Sequence, residues 1–353
     1  VPGRFPMKTL AYLACLTAVG LVLRVAGVPH GLLLGAILAA SIATSRFGFA
    51  PRLRFGLEFV QIVLGMATGL LFRSWDTQTV VSIVPSLGVL LVCLATQIAV
   101  GSLWLSRVSR WNRADALLAV YPGALAAVFD LLESERASAK VIVVHLVRLL
   151  SITILVSCFI PAQAGAPQQA AVTALPAETW LALTGLVALC VLAGRALLGL
   201  GVPAPFMITA IVLTGVFVRA GWLHDVEVPA WCVDAASVIL GALIGAQFKQ
   251  ITLADGLRYG RTGLACIALM LMVAGAFAWA MARLSGYGVL PLWLSYAPGA
   301  IETITIVAYG GGLNVVFVLS HHLTRLVVLH FAPAALARAR RRRMLAIDGG
   351  DAK

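Results

Sequence analysis

The sequence predicts an all-α fold, a polytopic transmembrane helical bundle of two homologous, inverted repeats whose helices are broken at Pro-Gly. Three observations predict it. Of 353 residues, 61% are hydrophobic and only 11% are charged, against about a quarter charged in soluble domains, so the chain lacks the polar surface that water requires. The apolar residues fall in runs of helix length, with Lys and Arg gathered between them, the distribution that sets membrane topology. Finally, residue landmarks recur in constant order: Pro122-Gly123-Ala124 returns as Pro298-Gly299-Ala300, an offset of 176. The composition excludes a soluble enzyme, a DNA-binding module or a disordered scaffold as the main body of the chain. It does so despite a net charge of +12, which elsewhere would suggest nucleic acid.

A spanning helix needs roughly 20 mostly apolar residues. The first run, 9–26, follows Arg4 and Lys8 but lacks an A-x-A cleavage signal, so it reads as a first spanning helix rather than a leader. Further runs follow at 30–45, 56–72, 79–106, 139–160, 179–198, 203–219, 230–248, 259–283 and 314–333. Those at 79–106 and 259–283 are long enough to tilt. Two more, 114–131 and 289–309, carry Pro-Gly inside them and need not be simple spans. The six cysteines, Cys15, Cys93, Cys158, Cys190, Cys232 and Cys266, all sit inside apolar runs without C-x-x-C spacing and read as buried small hydrophobes.

The repeat is dense in landmarks. Val28-Pro29 matches Val202-Pro203, Leu64-Gly65-x3-Gly69 matches Leu240-Gly241-x3-Gly245, and His145-x-x-Arg148 matches His322-x-x-Arg325. These bound a first membrane repeat at 1–162, a Pro/Gln/Ala linker at 163–177, a second repeat at 178–336 and a basic tail at 337–353. Loop charge gives each half a direction. Arg46, Arg52 and Arg54 follow the second run and Arg107, Arg110 and Arg113 the fourth, whereas in half two Lys249, Arg258 and Arg261 follow the third. Cytoplasmic charge thus moves from even-numbered to odd-numbered loops, as inverted halves require. Ten crossings plus two re-entrant Pro-Gly segments put both termini in the cytoplasm; twelve full spans would put the loop around Lys249 outside, against the charge rule. The tail with Arg338, Arg340, Arg341, Arg342 and Arg343 reads as an anchor for anionic lipid.

Chemistry concentrates in a few places. Pro next to Gly leaves backbone groups unpaired where no water is at hand, and such backbone is tolerated only in a protein interior or along a cavity. Transporters place broken helices at corresponding positions of two repeats, with substrate between them. Pro122, Gly123, Pro298 and Gly299 fit that description, against the alternative of kinks that ease packing. His145 with Arg148, and His322 with Arg325, share a helical face near mid-membrane, where a guanidinium costs at least ~2.5–3.5 kcal/mol. They would offer an anion several donors, or cap carbonyls freed by the breaks. Glu302, four residues past Pro298, is a candidate coupling carboxylate or salt-bridge partner; its counterpart is Ala126. Glu58 and Asp234 are repeat-equivalent helix-edge acids, and the Gly-x3-Gly pairs read as close helix contacts. Gly310-Gly311-Gly312 reads as a turn. The six His show no metal-site spacing, no catalytic triad arrangement is visible, and no cofactor is implied, so an enzyme is not expected.

The duplicated unit, Pro-Gly followed some 22 residues later by His-x-x-Arg, resembles the AbrB-duplication family of bacterial polytopic membrane proteins over roughly 10–336. Half two keeps Pro298, Gly299 and Glu302, with Ala300 and Thr303 where the family pattern has Gly and Met. Half one keeps Pro122 and Gly123 but has Ala124, Ala126 and Ala127. The resemblance implies an integral protein of the bacterial inner membrane. Its members are often labelled regulators or ammonia monooxygenases, labels for which this chain shows neither a DNA-binding domain nor oxygenase ligands. The expectation is a secondary transporter or exporter of a small, anionic solute, coupled to H+ or Na+, with Pro122, Gly123, His145, Arg148, Pro298, Gly299, Glu302, His322 and Arg325 forming the site. The competing expectation is a membrane-embedded sensor that influences gene expression. Membrane lipids are the expected partners, nucleic acid is not, and a homo-oligomer is compatible with either.

Overall fold

The computed structural model describes residues 7–74, 77–121, 139–160, 177–202, 204–223, 226–250, 252–299 and 301–329. Among them every regular element is helical. The first half runs α1 (Met7–Val25), α2 (Gly31–Phe47), α3 (Gly56–Leu70) with a 3-10 turn at Leu71–Ser74, α4 (Thr77–Arg107), α5 (Arg113–Val120) and α6 (Ala139–Phe159). The second runs α7 (Ala177–Gly199), α8 (Pro205–Arg219), α9 (Ala230–Ala246) with a 3-10 turn at Gln247–Gln250, α10 (Leu253–Ser285), α11 (Val289–Tyr296), α12 (Ile301–Gly310) and α13 (Val315–Leu329). Among the described residues six helices are long and apolar enough to cross a membrane, and four shorter apolar ones, α2, α3, α8 and α13, accompany them. This is a multi-pass membrane protein of helical construction.

Small residues set the centre. α2 packs along α9, and α3 along α8. A Cβ built at Gly65 would stand 2.6 Å from the Ala210 Cβ, and one at Gly69 2.6 Å from the Thr214 Cβ. At the matching positions, a Cβ at Gly241 would stand 2.5 Å from the Ala36 Cβ, and one at Gly245 would collide with the Ala40 Cβ. Both Gly-x3-Gly pairs are therefore close helix contacts, each bringing a backbone against a helix of the other half. Leu33, Ile37, Leu64, Met207 and Ile211 fill the core around them.

The entries to α2 and α8 share a local conformation as well. His30 (φ 51) and Ala204 (φ 46) are left-handed non-glycine residues, each just inside the Val-Pro landmark. His30 is held by a hydrogen bond between its Nε2 and the Ile160 carbonyl at 3.1 Å. Burial pushes its imidazole below the ordinary range, against the opposing pull of that carbonyl.

The two Pro-Gly runs are not continuous helices. α5 stops at Val120 and α11 at Tyr296, with Tyr121 and Ala297 turned out to ψ 115 and 140. α11 and α12 have eight and ten residues, about 12 and 15 Å at 1.5 Å per residue, each roughly half the membrane's hydrocarbon core. Each half brings the residue before its short helix back against the first turn of its last helix. Lys140 Nζ lies 5.2 Å from the Trp111 ring centroid and 2.6 Å from Asp115 Oδ2. At the corresponding places Tyr287 and Phe317 pack with ring centroids 4.7 Å apart. The cysteines divide: Cys93, Cys190 and Cys266 are buried and Cys232 intermediate, but Cys15 and Cys158 are exposed on the outer helix surface. The expectation that all six are buried is corrected for those two, because apolar runs in a membrane protein have a lipid face as well as a core face.

Candidate functional site

The breaks and the buried arginines meet. Where a helix stops, its last carbonyls lose their partners. In half two, Arg325 Nη1 donates to the Ala297 carbonyl at 2.7 Å, and its Nη2 donates to the Gly299 carbonyl, so one planar fork spans Pro298. In half one, Arg148 Nη1 donates to the Tyr121 carbonyl at 3.2 Å, the position equivalent to Ala297. Both arginines are buried, as are His145, His321 and His322. The capping role weighed for the arginines from the sequence is therefore occupied in both halves.

The polar groups left over are not the same in the two halves. His322 Nε2 donates to the Leu294 carbonyl at 3.0 Å, leaving its bare Nδ1 an acceptor without a partner. The His145 ring faces the Leu118 carbonyl without reaching standard hydrogen-bond geometry, and Arg148 Nε and Thr303 Oγ1 are buried without a bond. Such groups in an apolar interior cost about 1–3 kcal/mol each when unpaired, which makes them the open hydrogen-bonding capacity of the region. Pro122 and Gly123 lie outside the described residues, and of Glu302 only the backbone, in the first turn of α12, is described. Pro298 and Gly299 sit at the break with Arg325. Among the described residues no group of three or more His, Cys, Asp or Glu stands where it could hold a metal ion.

Sequence reasoning placed His321 near mid-membrane but missed the partners it has there. Ser86 of α4, Tyr296 at the end of α11 and His321 of α13 form a buried hydrogen-bonded cluster, joined by Gln97 through the Tyr296 carbonyl. The available signal was four polar residues in apolar runs of the kind that ought to be partnered. The helix-edge acid Asp234 pairs with Arg24 at 3.2 Å, both about two-fifths exposed, an edge contact of little energetic weight.

The family model described as "Transition state regulatory protein AbrB" matches residues 32–341. A relative named "Putative regulator AbrB", from Escherichia coli (strain K12), is 26% identical over 317 residues, covering 88% of this chain and 90% of its own length. No solved structure matches the chain. With a family match spanning both broken helices and both buried arginines, the chain belongs to the AbrB family.

Proposed function

We propose that this protein is a secondary transporter or exporter of a small anionic solute, working by alternating access between two inverted halves in the bacterial inner membrane. The observation that carries the reading is the recurrence of a helix break capped by a buried arginine at equivalent places in both halves. Buried cations in a membrane interior mark solute or ion paths, and broken helices at the repeat interface are the usual binding elements of such carriers. Arg148 and His145 supply the open donors; His322, whose Nε2–H is spent on the Leu294 carbonyl, and Arg325 hold the second break in shape; Glu302 supplies the coupling carboxylate. Both termini are cytoplasmic in this arrangement.

Two contacts support a re-entrant first Pro-Gly segment. Arg24, ending α1, reaches Asp234, opening α9, and His30, before α2, reaches Ile160, after α6. Residues in contact lie on one side of the membrane, so an even number of crossings separates each pair. That count is six and four if 113–138 returns to its own side, and odd if it crosses.

The test is uptake of chloride, acetate and sulfate, singly, into proteoliposomes holding the full chain. Flux of at least one, lowered tenfold or more by Arg148→Gln with the protein still monodisperse, supports transport. The regulator reading, favoured by the printed name of the Escherichia coli relative, predicts anion binding without flux, and that outcome would replace the carrier.

A further inference from the structure

The cluster beside the half-two break has a polarity that its partners dictate. His321 Nδ1 lies 2.8 Å from the Phe317 carbonyl, which can only accept, so Nδ1 carries the proton and Nε2 of the neutral ring is an acceptor. Ser86 Oγ, 2.8 Å from Nε2, donates to it. Tyr296 Oη, 2.8 Å from Ser86 Oγ, donates in turn to the serine. Tyr296 Oη also lies 3.2 Å from the Ser86 carbonyl. That second acceptor lets the whole chain reverse. With a proton added at Nε2, His321 donates to Ser86 Oγ, Ser86 donates to Tyr296 Oη, and Tyr296 turns its hydroxyl to the Ser86 carbonyl. One proton is taken up, no heavy atom needs to move, and every group is bonded in both states.

Half one has nothing of the kind. The residues equivalent to Tyr296, His321 and Gln97 are Val120, Val144 and Val273, and Thr262 stands for Ser86. Val120 and Val144 pack in an apolar cluster with Leu105, Ala116 and Cys266. Both halves cap their breaks with an arginine, yet only one carries the cluster, so holding the break does not require it.

The groups facing His321 are Ser86 of α4, Tyr296 of α11, and His322 and Arg325 of its own α13; Gln97 and Cys93 of α4 join the cluster only through the Tyr296 carbonyl. Glu302 lies on the neighbouring α12. A second cation one turn from the Arg325 guanidinium is costly in a membrane interior, and a bound anion would offset it. From this we infer that His321 is a proton-binding site of the protein, taking one proton at Nε2 together with each anion bound. The inference deepens the transport reading and rests on it for the identity of the anion as the solute.

The experiment is solid-state NMR of the full chain in liposomes with isotope-labelled histidine, the His321 signals assigned by His321→Gln. At about pH 8 the ring should show Nδ1–H and a bare Nε2; at about pH 5.5, with chloride, acetate or sulfate added singly against a bulky sulfonate buffer, both nitrogens should be protonated. Tyr296→Phe, which removes the reversing hydroxyl, should lower the proton affinity about tenfold, a shift of roughly one pH unit. Ser86→Ala should do the same, and Ser86→Thr should restore it. The inference is overturned if Nε2 stays bare with every anion, if it protonates equally without one, or if Tyr296→Phe changes nothing. Anion flux with a permanently neutral His321 would sink this inference and leave the carrier; anion-dependent protonation without flux would keep the site and sink the carrier.

Discussion

Arg325 does at residue scale what no shorter or single-pronged side chain could. Two carbonyls on either side of Pro298 face one guanidinium, and a lysine ammonium, a point donor on a flexible stem, reproduces the charge without the fork. Arg325→Lys should therefore cost about 1–3 kcal/mol and Arg325→Ala more, by the price of orphaned buried acceptors, read as a lowered unfolding midpoint in detergent. His30 carries a second prediction. Its ring is harder to protonate in the folded chain than in the unfolded one, so its contribution to stability is whole above about pH 6.5 and is lost as pH falls below that value. Asparagine tolerates the left-handed backbone at this position and does not titrate, so His30→Asn should flatten the acid limb of a stability–pH curve measured by thermal unfolding.

At the scale of elements, the cross-packing of α2 on α9 and α3 on α8 depends on the absence of side chains. Gly65→Ala and Gly241→Ala each drive a methyl into a facing alanine and backbone, and should cost about 1–3 kcal/mol as overpacking does. Gly185, with nothing within 4 Å of a built Cβ, should accept alanine at no loss; unfolding midpoints of the three variants check the contrast. The short α5 rests on its first turn, where the Asn112 side chain accepts from the Asp115 amide at 2.7 Å. These elements were legible beforehand for physical reasons. Pro next to Gly cannot continue a helix whoever its neighbours are, and glycine spaced four apart gives a flat face at any helix contact. The partners of the arginines were not legible, since a guanidinium in an apolar run is equally suited to a carbonyl, a carboxylate or a solute. Still less so was the cluster of Ser86, Tyr296 and His321, whose members meet across 210 and 235 positions of sequence, with valines standing for Tyr296 and His321 in the other half.

For the whole molecule, the decisive quantity is which ends share a side. With Cys15 and Cys158, both exposed, first replaced by alanine, cysteines placed at Val108 and Ala254 should react with an impermeant maleimide from the same side of the membrane, and one at Leu284 only from the other. Twelve full spans would separate Val108 from Ala254. Labelling of right-side-out and inverted vesicles decides between them. The fold class and the AbrB family were readable from composition, duplicated landmarks and Pro-Gly, because each of these survives without three-dimensional context.

The exchange of partners between the halves also sets an order of events at the ribosome. The glycine face of α3 is matched to α8, and that of α9 to α2, so half one enters the bilayer before its own central contacts exist. At usual elongation rates of about 5–20 residues per second, α3 must wait on the order of ten seconds beside lipid or an insertase before α8 emerges to meet it. A chain cut in the linker should, for the same reason, regain its packing when the two pieces are made together in one cell, while either piece made alone should be degraded.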